Sequence, residues 1–300
     1  MASSNTTSCW PDPMAGSTPE PVIVAAVQMC SSADVADNLA TALALLREAA
    51  AGGARVALLP ENFALMAGRD ADRRALAEDD GAGPVQDALA RVARELSLCV
   101  IAGSLQLRNA PGERVSQACL VWNERGERVA RYDKIHLFDV DIPERGEHYR
   151  ESAHMAPGRQ VVTVDTPAGR CGLSICYDMR FPELYRALLA AGAEWFVVPA
   201  AFTVPTGEAH WHVLLRARAI ENLCHVLAAG QSGLHANGRS TYGHSLVIDH
   251  WGRVLAERAA GPGVVLAAVD RAAQAGVRRA FPALAHRVLH NPLMPSGSPS

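Results

Sequence analysis

One order of elements can be read twice along this chain: strand, helix, strand, helix, strand, hairpin. In the first half, Val22–Met29 is an apolar run of strand length. Asp34–Ala51 has helical spacing, with Asp34 placed as the cap, Leu39, Leu43 and Leu46 on one face, and Gly52-Gly53 to end it. Val56–Leu59 is the next strand. Pro84 suits the first turn of a helix running to Leu96. Leu98–Leu107 is a strand, and Val115–Trp122 and Arg128–Tyr132 flank the turn "NERGE". In the second half, strands Val161–Val164 and Gly172–Ile175 surround "TPAG". A helix Pro182–Ala191, a strand Trp195–Val198, a helix Glu208–Asn222 and a strand Val226–Ala229 follow. A hairpin, Ser245–Asp249 with Arg253–Ala256, turns at "HWG", and Val264–Val269 is a last strand. The likeness is architectural, since no sequence repeat accompanies it. The hairpins make antiparallel pairs, which argues against one doubly wound sheet. The expected fold is α/β, a four-layer α-β-β-α sandwich: two mixed sheets packed face to face with helices outside.

The rest of the chain sets bounds. With 49% hydrophobic and 20% charged residues it has a globular composition, and a net charge of -3 gives no reason to expect nucleic acid or an anionic membrane as partner. No apolar run approaches the roughly 20 residues of a membrane helix. Residues 1–20 lack the basic start and apolar centre of a secretory signal and the arginines of a transit peptide. They read as a flexible tail, 286–300 as a second, and 21–285 as one domain. The seven cysteines are an odd set without a repeated CxxC spacing. Reduced thiols in a cytoplasmic protein are expected, most of them as small buried hydrophobes. A polar segment, Asp133–Gly158, is too long for a plain loop in a compact fold and is expected to be functional or partly structured.

Three polar residues sit just past strand ends, where sites form in sheets flanked by helices: Glu61 after "VALLP", Lys134 after "RVARYD", Cys176 after "CGLSI". Acyl transfer needs such a set. Only the thiolate is a strong nucleophile. Glu61 would take its proton if burial raises the carboxyl pKa toward neutrality. Lys134 would hold the thiolate and then the oxyanion, with the Tyr177 N–H as second donor. No metal or organic cofactor is required. Taken singly, Glu61 reads equally as a cap or surface carboxylate, Lys134 as a solvated lysine and Cys176 as a core cysteine, and the spacing alone leaves both readings standing. Other candidates carry less. His210 and His212 point to different faces of a helix, so no metal site is expected there. His136 and His154 read as polar loop residues. Cys171 and Cys176, placed on one strand, face opposite sides and form no redox pair. "GAGP" at 81–84 lacks a P-loop lysine and reads as a turn before a helix.

The segments "LLPENF", "YDKIHLFD", "ICYDMRFPELYR" and "AHWHVLLRARAIEN" resemble the carbon–nitrogen hydrolase family, the nitrilase superfamily, over residues 22 to 285. The resemblance implies the same sandwich, a Glu–Lys–Cys triad falling on Glu61, Lys134 and Cys176, and a homodimer or larger homo-oligomer. A further family glutamate matches Glu151, with Glu147 close by as the alternative. "AFTVPTGEAHWHVLLRARAIEN" and "RSTYGHSLVIDHWG" look most like the Nit branch, with His250 where proline is expected. The implied activity is hydrolysis of a small carboxylate-bearing amide through a cysteine thioester, with deaminated glutathione as substrate. The alternatives are omega-amidase action on 2-oxoglutaramate or 2-oxosuccinamate, then a nitrilase or a non-catalytic binder. Tyr177, Arg180, Phe202 and Thr203 follow the nucleophile or the strand beside it and are expected to bind substrate. Arg180 would grip a carboxylate or else brace its turn through Asp178 or Glu183.

Overall fold

The computed structural model describes residues 20–66, 70–142 and 147–289. Of the tails expected at 1–20 and 286–300, residue 20 and residues 286–289 are described and the rest lie outside. Two sheets form the centre. In the first, Val22–Gln28 pairs antiparallel with Gly263–Val269 and parallel with Val56–Leu58. Cys99–Leu107, Val115–Trp122 and Arg128–Asp133 extend it, and Met155–Ala156 adds to Val115–Trp122. In the second, the order is Val254–Arg258, Ser245–Ile248, His225–Gly230, Trp195–Ala200, Gly169–Leu173, Thr163–Thr166. Both sheets are mixed, as expected, with parallel pairs at the centre and mostly antiparallel pairs outward.

The alternation of side chains along each strand makes the layers. In the first sheet Val24, Ala26, Val56, Leu58, Cys99 and Ile101 join a core shared with the second sheet. Their neighbours Ala25, Val27, Ala57, Leu59 and Val100 join a separate core with Leu46, Leu89 and Val92 of the helices outside. A strand covered on both faces is apolar throughout, which is why these runs show no period-two pattern in the sequence. The helices begin where the chain supplies caps. Val35–Ala51 starts after Asp34, whose carboxylate accepts the Asp37 N–H at 3.0 Å. Pro84 and Pro182 open Pro84–Leu96 and Pro182–Ala190. Leu184 and Leu188 of the latter are buried on their own sheet.

Several features depart from the sequence reading, among them an unread helix Asp70–Ala75 and strands at Thr163–Thr166 and Gly169–Leu173 in place of Val161–Val164 and Gly172–Ile175. The helix expected from Glu208 starts at Val204, because Pro205 fits its first turn and Thr203 is its cap. A helix Arg271–Ala280 follows the last strand, capped by Asp270, which accepts the Ala273 N–H at 2.8 Å. The hairpin Ser232–Leu234 with Ser240–Tyr242 went unread, although "ANGR" between its strands carries the Asn-Gly signal of a tight turn. The segment Asp133–Gly158 is structured in part: Asp139–Ile142 pairs with Glu147–Arg150, and one helical turn spans Glu151–Ala153.

Candidate active site

Four strand ends meet at one edge of the sandwich. Glu61 follows Val56–Leu58, Lys134 follows Arg128–Asp133, Cys176 follows Gly169–Leu173, and Ala201 to Thr203 follow Trp195–Ala200. They open onto a cavity of about 440 Å³ whose wall includes Glu61, Lys134, Glu151, Cys176, Tyr177, Phe202 and Thr203. Seven of the eight residues singled out in the sequence are thus brought together. The eighth, Arg180, stands outside that wall. Its guanidinium lies 5.2 Å from the Phe202 ring centre and 5.7 Å from that of Tyr177, and meets His210 Nδ1 at 3.3 Å. Asp178, its expected brace, is occupied by other donors.

The ammonium of Lys134 donates to Glu61 Oε1 at 2.9 Å and to Glu151 Oε1 at 2.9 Å. Only 2% of Lys134 and 4% of Glu61 is exposed, so these charges have one another in place of water. The second oxygen of each carboxylate is held by backbone: Ala201 N–H donates to Glu61 Oε2 at 2.8 Å, Phe138 N–H to Glu151 Oε2 at 2.7 Å. Glu151 is therefore the glutamate that the lysine meets. Glu147 lies in the strand Glu147–Arg150, and its side chain falls outside the described residues.

The electrostatics correct one expectation. Burial acts to raise the Glu61 pKa, but the charge and hydrogen bond of Lys134, the Cys176 thiol and the charge of Arg239 together outweigh it. The carboxyl sits below its ordinary 4.5, not near neutrality, because a fixed cation stands against it. Lys134 is pulled down by burial and pushed up further by Glu151, Glu61 and Cys176, so it stays charged. Burial and the Glu61 charge hold the Cys176 thiol well above its ordinary 9.0, against Lys134 and the Ala201 N–H. The resting pair is a neutral thiol on an ionised carboxylate.

The thiol is presented by a tight turn. Cys176 has φ 46°, a left-handed conformation that a non-glycine residue adopts only when its surroundings enforce it. The enforcement comes from Asp178, which is fully buried and accepts from Tyr132 Oη at 2.6 Å, Ile175 N at 2.8 Å, His136 N at 3.0 Å and His136 Nδ1 at 2.7 Å. His136 also stacks on Phe181, with ring centres 3.7 Å apart. Asp178 was overlooked as a positioning group, though an acid two residues past a candidate nucleophile is a readable signal. Arg239 was also missed. It lines the cavity from the unread hairpin, as do Tyr149 and Arg150 from the Asp133–Gly158 segment.

Elsewhere, Cys171 is fully buried between the sheets and Cys176 lies beyond the strand that holds it, so the two do not share a strand as expected. Cys99, Cys119 and Cys224 are buried and free. His210 and His212 do point apart. His212, His244 and Glu257 have ligand atoms within 4.8 Å of one another, away from the cavity, with both imidazoles bonded to Glu257 Oε1. The turn before Pro84 forms as read, with Glu78 accepting the Val85 N–H at 2.7 Å.

Comparison with known proteins agrees with this arrangement. The family profile for carbon-nitrogen hydrolases matches residues 23–279. A deaminated glutathione amidase of Yersinia enterocolitica is 40% identical over 92% of this chain and 96% of its own length. One of Homo sapiens is 43% identical over 88% of this chain and 82% of its own. The crystal structure of the C. elegans NitFhit protein superposes with a TM-score of 0.84 at 35% identity, over 90% of this chain and 66% of that longer one. No helix among the described residues is long and apolar enough to cross a membrane. The profile match spans nearly every described element and the buried Glu–Lys–Cys cluster sits at its centre: the chain belongs to the carbon–nitrogen hydrolase family.

Proposed function

We propose that this chain is an amidase that hydrolyses deaminated glutathione, a small carboxylate-bearing amide, through a thioester on Cys176. The observation that carries the reading is the Lys134 ammonium, clasped by Glu61 and Glu151 at 2.9 Å each, in one cavity with the Cys176 thiol. As the sulfur attacks the amide carbonyl, its proton passes to Glu61. The oxyanion is taken by Lys134 and the Tyr177 N–H. Glu61 then gives the proton to the departing nitrogen as the C–N bond breaks. Water, losing a proton to Glu61, attacks the thioester, and the returning proton frees the thiol. Glu151 holds Lys134 in place, and Phe202, Thr203 and Tyr177 wall the acyl site. Every step uses these side chains, so no metal or organic cofactor is called for.

Deaminated glutathione joins 2-oxoglutarate to cysteinylglycine, and relatives named for that substrate at 40–43% identity support it over 2-oxoglutaramate. A non-catalytic binder would gain nothing from a thiol held beside a buried ion cluster. The test is product release from both amides. The wild type is expected to favour deaminated glutathione, and Cys176→Ala to fall by about 10³-fold or more. Preference for 2-oxoglutaramate would overturn the substrate, and turnover by Cys176→Ala the mechanism. We further propose a homodimer or larger homo-oligomer, read out by sedimentation, and a cytoplasmic setting that keeps the thiol reduced.

A further inference from the structure

We infer that Arg239 anchors a carboxylate on the leaving-group side of the substrate, so that the hairpin 232–242 selects which amide is cleaved. This rests on the amidase reading and deepens it. Arg239 lines the cavity. Its Nη2 donates to the Ala201 carbonyl at 2.5 Å, and its guanidinium stands 5.3 Å from the Tyr149 ring centre. Its Nε is buried and has no hydrogen-bond partner among the described residues. Folded chains rarely leave a buried donor unpaired, and an acceptor arriving with substrate would satisfy it. The neighbouring cation Arg150 is already committed, forked onto Asp141 at 2.8 and 2.9 Å.

The hairpin holds this guanidinium ready. Asn237-Gly238 make its turn, with Gly238 at φ 81°. The Arg239 N–H donates to Asn237 Oδ1 at 3.0 Å and its carbonyl accepts from His235 N at 2.8 Å. The His235 ring is tied to Ser31 O at 2.8 Å and Thr241 Oγ1 at 2.7 Å. Tyr242 N–H, bonded to Phe202 O at 2.9 Å, docks the second strand beside the cavity.

Geometry also gives the side. Ala201 accepts from Arg239 through its carbonyl and donates its N–H to Glu61 Oε2. Glu61 must reach the departing nitrogen to protonate it, so a cation bonded to the same residue that holds Glu61 faces the departing half. In deaminated glutathione that half is cysteinylglycine, which ends in a carboxylate. From 2-oxoglutaramate only ammonia departs. A planar guanidinium fork matches a carboxylate better than a point charge does.

The experiment compares deaminated glutathione, its analogue with the glycine carboxylate converted to a primary amide, and 2-oxoglutaramate. The wild type is expected to favour the free carboxylate over the amidated analogue by about tenfold in kcat/KM, chiefly through KM. Arg239→Ala should compress that ratio to about twofold, and Arg239→Lys should lie between, with the loss on 2-oxoglutaramate several times smaller than on deaminated glutathione. A ratio unchanged in Arg239→Ala overturns the inference, as does an equal loss on all three amides, which marks a structural role. Should Arg239→Ala fail to fold, the wild-type ratio decides: no preference for the free carboxylate overturns the inference. A wild type inactive on deaminated glutathione but active on 2-oxoglutaramate overturns the substrate reading itself, a separate result.

Discussion

An ammonium withdrawn from water is stable only while its carboxylates remain, and Lys134 has two. Lys134→Ala is expected to leave both Glu61 and Glu151 buried without their cation and to cost about 3–5 kcal/mol in denaturant unfolding, together with all activity. The same clasp sets the pH response. Glu61 titrates below 4.5 in the folded chain, so its base form persists through the ordinary glutamate range. The acid limb of kcat/KM is therefore expected to lie below pH 4.5, and any stability that Glu61 contributes is lost only as pH falls through that lower value. A limb near neutrality would contradict the depressed pKa. Asp178 is the other residue on which the site depends. Asp178→Ala would strand donors from Tyr132, Ile175 and His136 that now share one carboxylate, and a loss of about 3 kcal/mol or more is expected in urea melts. Glu61, Lys134 and Cys176 could be singled out from their places after apolar runs, but only the family resemblance lifted them above a cap, a solvated lysine and a core cysteine. The sign of the Glu61 shift was not legible, because burial and a cation act oppositely and only coordinates say which stands closer.

Elements explain what the sequence reading left out. The helix Val204–Asn222 begins beside the cavity, and Gly207 in its first turns lets the strand Ser240–Tyr242 lie against it. A Cβ there would stand 2.2 Å from Tyr242 Cγ and 2.5 Å from its Cβ, atoms that cannot swing away. Gly207→Ala is expected to destabilise the chain by about 1–3 kcal/mol and to weaken turnover of deaminated glutathione by displacing the hairpin that carries Arg239. Unchanged melting and turnover would show that the hairpin is not seated on this glycine. Strong caps and prolines made the helices Val35–Ala51, Pro84–Leu96 and Pro182–Ala190 readable almost to the residue. The short strands Ser232–Leu234 and Ser240–Tyr242 have little apolar periodicity, so their pairing is stabilised by what they dock on rather than by their own pattern.

Across the whole molecule, the two sheets come into close contact where Gly103 of one meets Pro199 of the other. A Cβ on Gly103 would lie 1.9 Å from Leu59 O and 2.4 Å from Pro199 Cβ. Leu59 leads into Glu61 and Pro199 into Ala201, so this contact sets the spacing of the strand ends that build the site. Gly103→Ala is expected to cost about 3 kcal/mol or more by thermal or denaturant unfolding and to lower kcat in whatever fraction folds. By itself the amino-acid order pointed to the layered α/β architecture and, through the family resemblance, to Glu61, Lys134 and Cys176 as candidate reactive side chains. Apolar runs must be buried on both faces, and reactive groups placed just past them come to the sheet's edge. The tertiary structure decided the rest: that Gly263–Val269 joins the first strand rather than its own half, that Arg180 stands outside the cavity wall, and that Arg239 enters it. Those outcomes depend on which surfaces meet across more than a hundred residues of chain. Local spacing carries no record of such distances, whereas burial and pairing in the folded molecule fix them.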